Sequence, residues 1–183
     1  MNAPTNPQTD LVKLHSGILA DLAPLFPKSK WTVEHYMRIV ERVPVPAISI
    51  ELTTMEPAAP TADIGTNQFD STLRFEAYVF TDYKQPDYRI LSRLYAGQLM
   101  AFLVGHQWSG TANGPCRVLG AFADRFSPDG QADQYDCMRV EWEQDCLIGL
   151  DNWAGGAVPS EVFLGIAPKI GSANLSSYEQ VAP

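Results

Sequence analysis

Residues 135–148 read YDCMRVEWEQDCLI. Met138, Val140, Trp142, Cys146 and Ile148 fall on one parity, and Arg139, Glu141, Glu143 and Asp145 on the other. Successive side chains of a strand point to opposite faces, so this alternation predicts a long strand with one apolar and one charged face. Gln144 is the one polar residue on the apolar side. Phe69–Thr81 repeats the pattern, with Leu73, Phe75, Ala77 and Val79 alternating with Thr72, Arg74, Glu76 and Tyr78. Two strands with a shared apolar side need a second layer to cover it.

The covering layer is legible as helical periodicity. Leu11, Leu14, Ile18, Leu22 and Leu25 recur at spacings of three and four, which predicts an amphipathic helix. Thr9 or Asp10 serves as its N-cap, Pro24 disturbs its last turn, and Pro27 ends it. A second helix carries Ile90, Leu91, Leu94, Tyr95, Leu99, Phe102 and Leu103. Pro86 suits its first position, Asp87 the positive end of its dipole, and Gly105 the residue past its end. Val45–Leu52 reads as a strand with Ile48, Ile50 and Leu52 on one face, and Cys116–Ala123 as a shorter one. Trp31–Val43 reads as short helical or irregular, stopped by Pro44 and Pro46. Thr53–Gln68 and His106–Pro115 read as loops, and Asp82–Gln85 and Asp124–Gln134 as turns.

The order helix–strand–strand–helix–strand–strand predicts an α+β fold. Its antiparallel or mixed β-sheet carries two helices packed on one face, within residues 10–150, plus a C-terminal extension. Residues 1–9 hold nothing to bury and read as a flexible N-terminal arm. Residues 151–183 carry only four charges, Asp151, Glu161, Lys169 and Glu179. Val162, Phe163, Leu164, Ile166, Ile170 and Tyr178 follow there in no clean period. So apolar a segment is expected to dock, on its own domain or on a neighbouring chain.

Composition narrows the functional classes. At 183 residues the chain has room for one domain with extensions, and its 45% apolar content is enough for a core. The net charge of −8 argues against a broad surface that grips nucleic-acid phosphates. The beginning MNAPTNPQTD lacks the basic and apolar regions of a signal peptide, and no run approaches the ~18 apolar residues of a membrane helix. The expected location is a cytoplasm, or a structure assembled there, with no membrane partner. Cys116, Cys137 and Cys146 lack CxxC spacing and read as reduced thiols.

Catalytic templates find little to match. His15, His35 and His106 show no metal-ligand spacing and read as helix-flank, loop or surface residues. Neither GxSxG nor a phosphate-cradling glycine loop is present, so no cofactor and no metal is expected. Cys116 with His106 is a conceivable nucleophile and base without an evident orienting acid. Glu141, Glu143 and Asp145 are conceivable catalytic carboxylates or a metal cup. Their spacing of roughly 6.5–7 Å along one strand face makes them repel without a cation. A solvated face, or a neighbouring chain carrying Lys or Arg, is the simpler expectation. Arg89 and Arg93 beside Tyr88 and Tyr95 offer aromatic and basic groups for a single strand, but helix-flank arginines commonly cover apolar surface.

Three stretches carry a family resemblance. LRFEAYV at 73–79, followed by DYRILSRLYAGQLMAFL at 87–103, resembles small tail proteins of tailed bacteriophages. MRVEWEQDCLIGLDNW at 138–153 resembles them more sharply, above all in V-E-W-E-Q before a turn with Gly and Trp. VFLGIAPKI at 162–170, with Gly171, is similar to the group's C-terminal extension. Together these span roughly residues 10–178, and their order matches the tail-terminator, or tail-completion, family.

The resemblance implies a virion structural protein and no enzyme. It implies a ring of identical chains, usually six, at the head-proximal end of the tail tube. Such a ring stops tube polymerisation, meets the head-side connector, and in contractile tails also meets the sheath. DNA passes through its centre without specific binding. On this expectation Arg139, Glu141, Glu143 and Asp145, with Arg74 and Glu76, line the lumen or a subunit boundary. Val162, Phe163, Leu164, Ile166, Ile170 and Tyr178 form an arm that docks on partners. Another neck, connector or baseplate adaptor is the nearest alternative reading, and a cysteine or carboxylate hydrolase a more distant one.

Overall fold

The computed structural model describes residues 9–37, 43–58, 68–124, 135–149, 162–164 and 170–182. Pro7–Asp151 forms one compact unit, and a second unit includes Asn152–Pro183. The larger unit holds helix α1 (Leu11–Leu22), strands β1 (Thr32–His35), β2 (Ala47–Pro57) and β3 (Phe69–Asp82), helix α2 (Tyr88–Leu103), and strands β4 (Arg117–Asp124) and β5 (Tyr135–Ile148). The five strands form a mixed sheet in the order β1-β2-β3-β5-β4. Only the β1–β2 pair is parallel. The fold is α+β, as the periodicities predict.

Strands β3 and β5 are the longest pair, in unbroken register from Phe69 opposite Ile148 to Asp82 opposite Tyr135. This register sets the two apolar rows side by side: Phe75 faces Trp142, and their rings stack at 5.3 Å with an 8° interplanar angle. Leu14, Ile18 and Leu22 of α1 and Ala96, Leu99 and Leu103 of α2 join Leu73, Phe75, Ala77, Val79, Val140 and Trp142 in one buried cluster. Burial of this kind stabilises by roughly 1.5–3 kcal/mol per large side chain. Asp10 caps α1, its carboxylate accepting from the backbone N–H groups of Val12 and Lys13. Gly17 lets α1 approach the 106–115 loop closely: a Cβ there would lie 2.2 Å from the carbonyl oxygen of Ser109.

Several local expectations are corrected. The 31–43 segment contains β1, an edge strand of only four residues, too short to show a period; its pairing with β2 supplies its hydrogen bonds. Strand β2 runs on to Pro57, so Thr53–Pro57 is not loop. A bulge at Thr53 shifts the register and breaks the alternation by which the strand could be followed. The remainder of that loop, 59–67, lies outside the described residues, as do 125–134 of the turn before β5. Helix α2 begins at Tyr88, not Pro86. Asp87 sits before it in the left-handed region at φ 58°, and its carbonyl accepts from the N–H groups of Ile90 and Leu91. Aspartate tolerates that backbone better than most residues. Thr9 is not part of a mobile arm: it is buried, and its N–H donates to the carbonyl of Leu147 at 2.8 Å. Residues 1–8 lie outside the description.

In the second unit, Val162–Leu164 (β6) pairs antiparallel with Glu179–Ala182 (β7). Two 3₁₀ turns occupy Ser172–Ser177, separated at Asn174. The lack of period noted in the sequence therefore hides a two-stranded sheet. Leu164 and Ile170 are exposed, and the Tyr178 hydroxyl accepts from the N–H of Gly171 at 2.8 Å. Ile166 lies outside the described residues, as do the side chains of Val162 and Phe163. Among the described residues, no helix is long and apolar enough to cross a membrane.

Candidate functional site

The face of the sheet turned away from the helices collects the charged parity of β3, β4 and β5. Register places Arg74 opposite Glu143, Glu76 opposite Glu141 and Tyr78 opposite Arg139. On the far side of β5, Arg117 lies opposite Glu143 and Phe122 opposite Arg139. All six residues expected to line a lumen or boundary therefore converge on one surface. Arg117 and Asp124 of β4 and Tyr78 of β3 belong to it as well. Arg117 and Asp124 are hard to assign to this face from sequence, because the bulge at Leu119 splits that strand's alternation. The parity of Phe122 and Asp124 is the signal that was available.

The acidic row finds cations within the chain, in three arginines, while Asp145 stays 46% exposed as a solvated face would have it. Arg74 Nη2 donates to Glu141 Oε2 at 2.5 Å, and its Nη1 lies 3.9 Å from Glu143. Arg117 binds Asp145 with both terminal nitrogens, at 2.5 and 3.0 Å. Arg139 lies 3.4 Å from Asp124 and 3.9 Å from Glu76. Its Nε is 3.0 Å from Glu141, an ion pair without the alignment of a hydrogen bond. Glu141 is far from solvated, its side chain only 7% exposed, and this degree of burial is tolerable because two guanidiniums flank it.

The electrostatics follow from these contacts. The hydrogen bond from Arg117, against the opposing effect of burial and with help from Thr72, holds Asp145 below the usual carboxylate range. The bonds to Glu141 and Asp145 raise Arg74 and Arg117 further above neutrality. Burial pushes the Tyr78 phenol up, reinforced by its 2.6 Å hydrogen bond to Glu76. Tyr78 therefore stays protonated and donating. Among the described residues, the three guanidiniums of this face are thus already engaged by carboxylates. Such a surface has fixed charges and little free cation to capture a phosphate.

The other candidate chemistries separate in space or lose reactivity. Cys116 donates to Gln144 at 3.3 Å inside the core, and burial pushes its thiol up to about 12. Cys137 is likewise raised to about 12 by burial, and burial raises Cys146 as well. A protonated thiol is a poor nucleophile. His106 instead turns to Asp21 of α1, 3.1 Å away. Asp21 also accepts from the Ser109 N–H at 2.8 Å and the Ser109 hydroxyl at 2.6 Å. Burial alone would raise Asp21, but these donors bring it below its ordinary value. This constellation ties α1 to the 106–115 loop. His35 is half-buried on β1 rather than a loop or surface residue. Its Nε2–H donates to the carbonyl of His15 at 2.8 Å, and burial lowers its pKa. Among the described residues, no cluster of three or more metal-ligating side chains occurs. A cavity of about 240 Å³ at the end of β5 is lined by Thr9, Asn113, Gly114, Asp145 and Cys146 among others.

No family model and no curated protein matches the chain.

Proposed function

We propose that this chain is a tail terminator of a tailed bacteriophage. It works as a homo-oligomeric ring, most simply a hexamer, on the head-proximal end of the tail tube. One face of the ring meets the last layer of tube protein and blocks further addition. The other accepts the head-side connector, and a contractile tail would add a contact with the sheath. The mechanism is steric and interfacial, with no covalent step. The chain acts within the virion and is assembled in the host cytoplasm.

One observation carries the reading: the helix-free sheet face is a pre-neutralised, acid-rich surface. DNA moving through a conduit must not be held, because each phosphate neutralised by a free cation adds affinity through counterion release. Arg74, Arg117 and Arg139 are occupied by Glu141, Glu143, Asp145, Asp124 and Glu76. Placed on the lumen, that face lets phosphates slide; placed at a subunit boundary, it offers a rigid charge pattern to match. The segments resembling the family fall on β3, α2 and β5, the elements that build this face and its backing. The raised pKa values of the buried thiols speak against a cysteine hydrolase.

Electron microscopy of particles assembled without the chain tests the proposal. Overlong tails, or tails and heads left unjoined, are expected. Tails of normal length joined to heads would refute it.

A further inference from the structure

Helix α2 is apolar on two opposite sides. Ser92, Ala96, Leu99 and Leu103 face the core and are buried. On the other side Ile90, Leu94, Gly97, Ala101 and Val104 recur at spacings of four and three, which keeps them in one line along the helix. Ile90 is 66% exposed, Leu94 52% and Val104 72%. A surface helix normally turns charge to the water along that line. Here the charged residues Arg89 and Arg93 stand at the margin of one end only.

We infer that this face is a pairing surface for a second copy of the chain, the two α2 helices lying antiparallel about a two-fold axis at Gly97. Three features select this occupant. The sizes are self-complementary: with Gly97 at the axis, Ile90 meets the partner's Val104 and Leu94 meets the partner's Ala101. Gly97 allows close approach, since even an added Cβ there would meet nothing within 4 Å in the single chain. The charges also complement. The last turn of α2 carries no basic residue, so its carbonyl end keeps an uncompensated partial negative charge. Antiparallel pairing brings Arg89 of the second copy to that end; Arg93 is held within its own chain by the Arg89 carbonyl at 2.6 Å and by Asp136 at 3.3 Å. A two-fold contact closes on itself, so the pair is a state of the free chain and not a link in a head-to-tail ring. The inference does not rest on the tail-terminator reading.

Sedimentation of the full chain from micromolar to millimolar concentration tests it. A dimer is expected. Leu94→Asp should raise its dissociation constant at least about tenfold, as expected for a charge placed in an apolar interface core. Gly97→Gln should have opposite effects on fold and pair. It should favour the folded monomer by roughly fourfold, because glutamine is the better helix former, and weaken the dimer. In Gly97→Cys, added oxidised glutathione should oxidise the two thiols at the axis to a reducible disulfide, itself reduced to two free glutathiones, and Leu94→Asp should abolish that cross-link. A chain that stays monomeric throughout would overturn the pairing. So would a dimer insensitive to both surface variants, or one that Gly97→Cys fails to cross-link. A free chain that sediments as a hexamer, with no dimer at any concentration, would also overturn it while leaving the ring reading in place.

Discussion

The indole N–H of Trp108 donates to the side-chain oxygen of Gln144 at 2.7 Å, inside the core. Gln144 is fully buried on the apolar face of β5, where its polarity looked out of place in the sequence. Its oxygen also accepts from Cys116 at 3.3 Å. The residue is therefore the acceptor that lets the 106–115 loop insert a tryptophan into the core against Phe102 and Trp142. Gln144→Leu keeps the volume and removes the acceptor, leaving the Trp108 N–H unsatisfied. A loss of about 1–3 kcal/mol in urea unfolding is expected, with a change in tryptophan fluorescence.

On the charged face, Arg74→Met removes the 2.5 Å partner of the nearly buried Glu141 and leaves Arg139 to hold it. Hydrogen bonds to charged groups are worth about 1.5–3 kcal/mol. Arg74 is 41% exposed, so screening places the expected loss near the lower end, about 1–2 kcal/mol. Adding Glu141→Gln should recover part of it, which a double-mutant cycle in urea would read.

Gly17→Ala is expected to destabilise the fold even though alanine is the better helix former. The added methyl would meet backbone, the Ser109 carbonyl at 2.2 Å, so the helix or the loop must shift. Overpacking of this kind costs about 1–3 kcal/mol, against the ~1 kcal/mol of helix propensity it gains. A lowered thermal midpoint would confirm the sign.

Stability should fall as the medium is acidified below the ordinary histidine pKa. Folded His35 is neutral: its Nε2–H is donated to His15, and its buried Nδ1 has no partner. Its pKa is lowered on folding, by burial first, so between the two pKa values the unfolded chain binds more protons. The contribution is therefore present above about pH 6.5 and lost as the pH drops toward the folded value. His35→Gln keeps a donor for the His15 carbonyl and should flatten the decline in urea midpoint between neutral pH and about pH 5.5.

The three cysteines should resist alkylation in the native protein and react in denaturant. All are buried, and Cys116 and Cys137 are raised to about 12, which leaves little thiolate at neutral pH. Mass spectrometry after iodoacetamide treatment would count the adducts. Rapid native labelling of Cys116 would contradict its placement.

What the sequence determined by itself was carried by long periodic segments. The alternation of Met138–Ile148 and Leu73–Val79 and the stripes of Leu14–Ile18–Leu22 and Leu99–Leu103 each repeat often enough to declare a face, and faces dictate the α+β layers. Short or interrupted elements were not legible. Thr32–His35 is a strand only because β2 lies beside it, and the bulges at Thr53 and Leu119 erase the parity on which reading depends. The candidate surface divides the same way. That Arg139, Glu141, Glu143 and Asp145 share a face follows from the two-residue repeat of one strand. That Arg74 and Arg117 neutralise them from either side follows from register between strands distant in the chain, which only the tertiary structure decides.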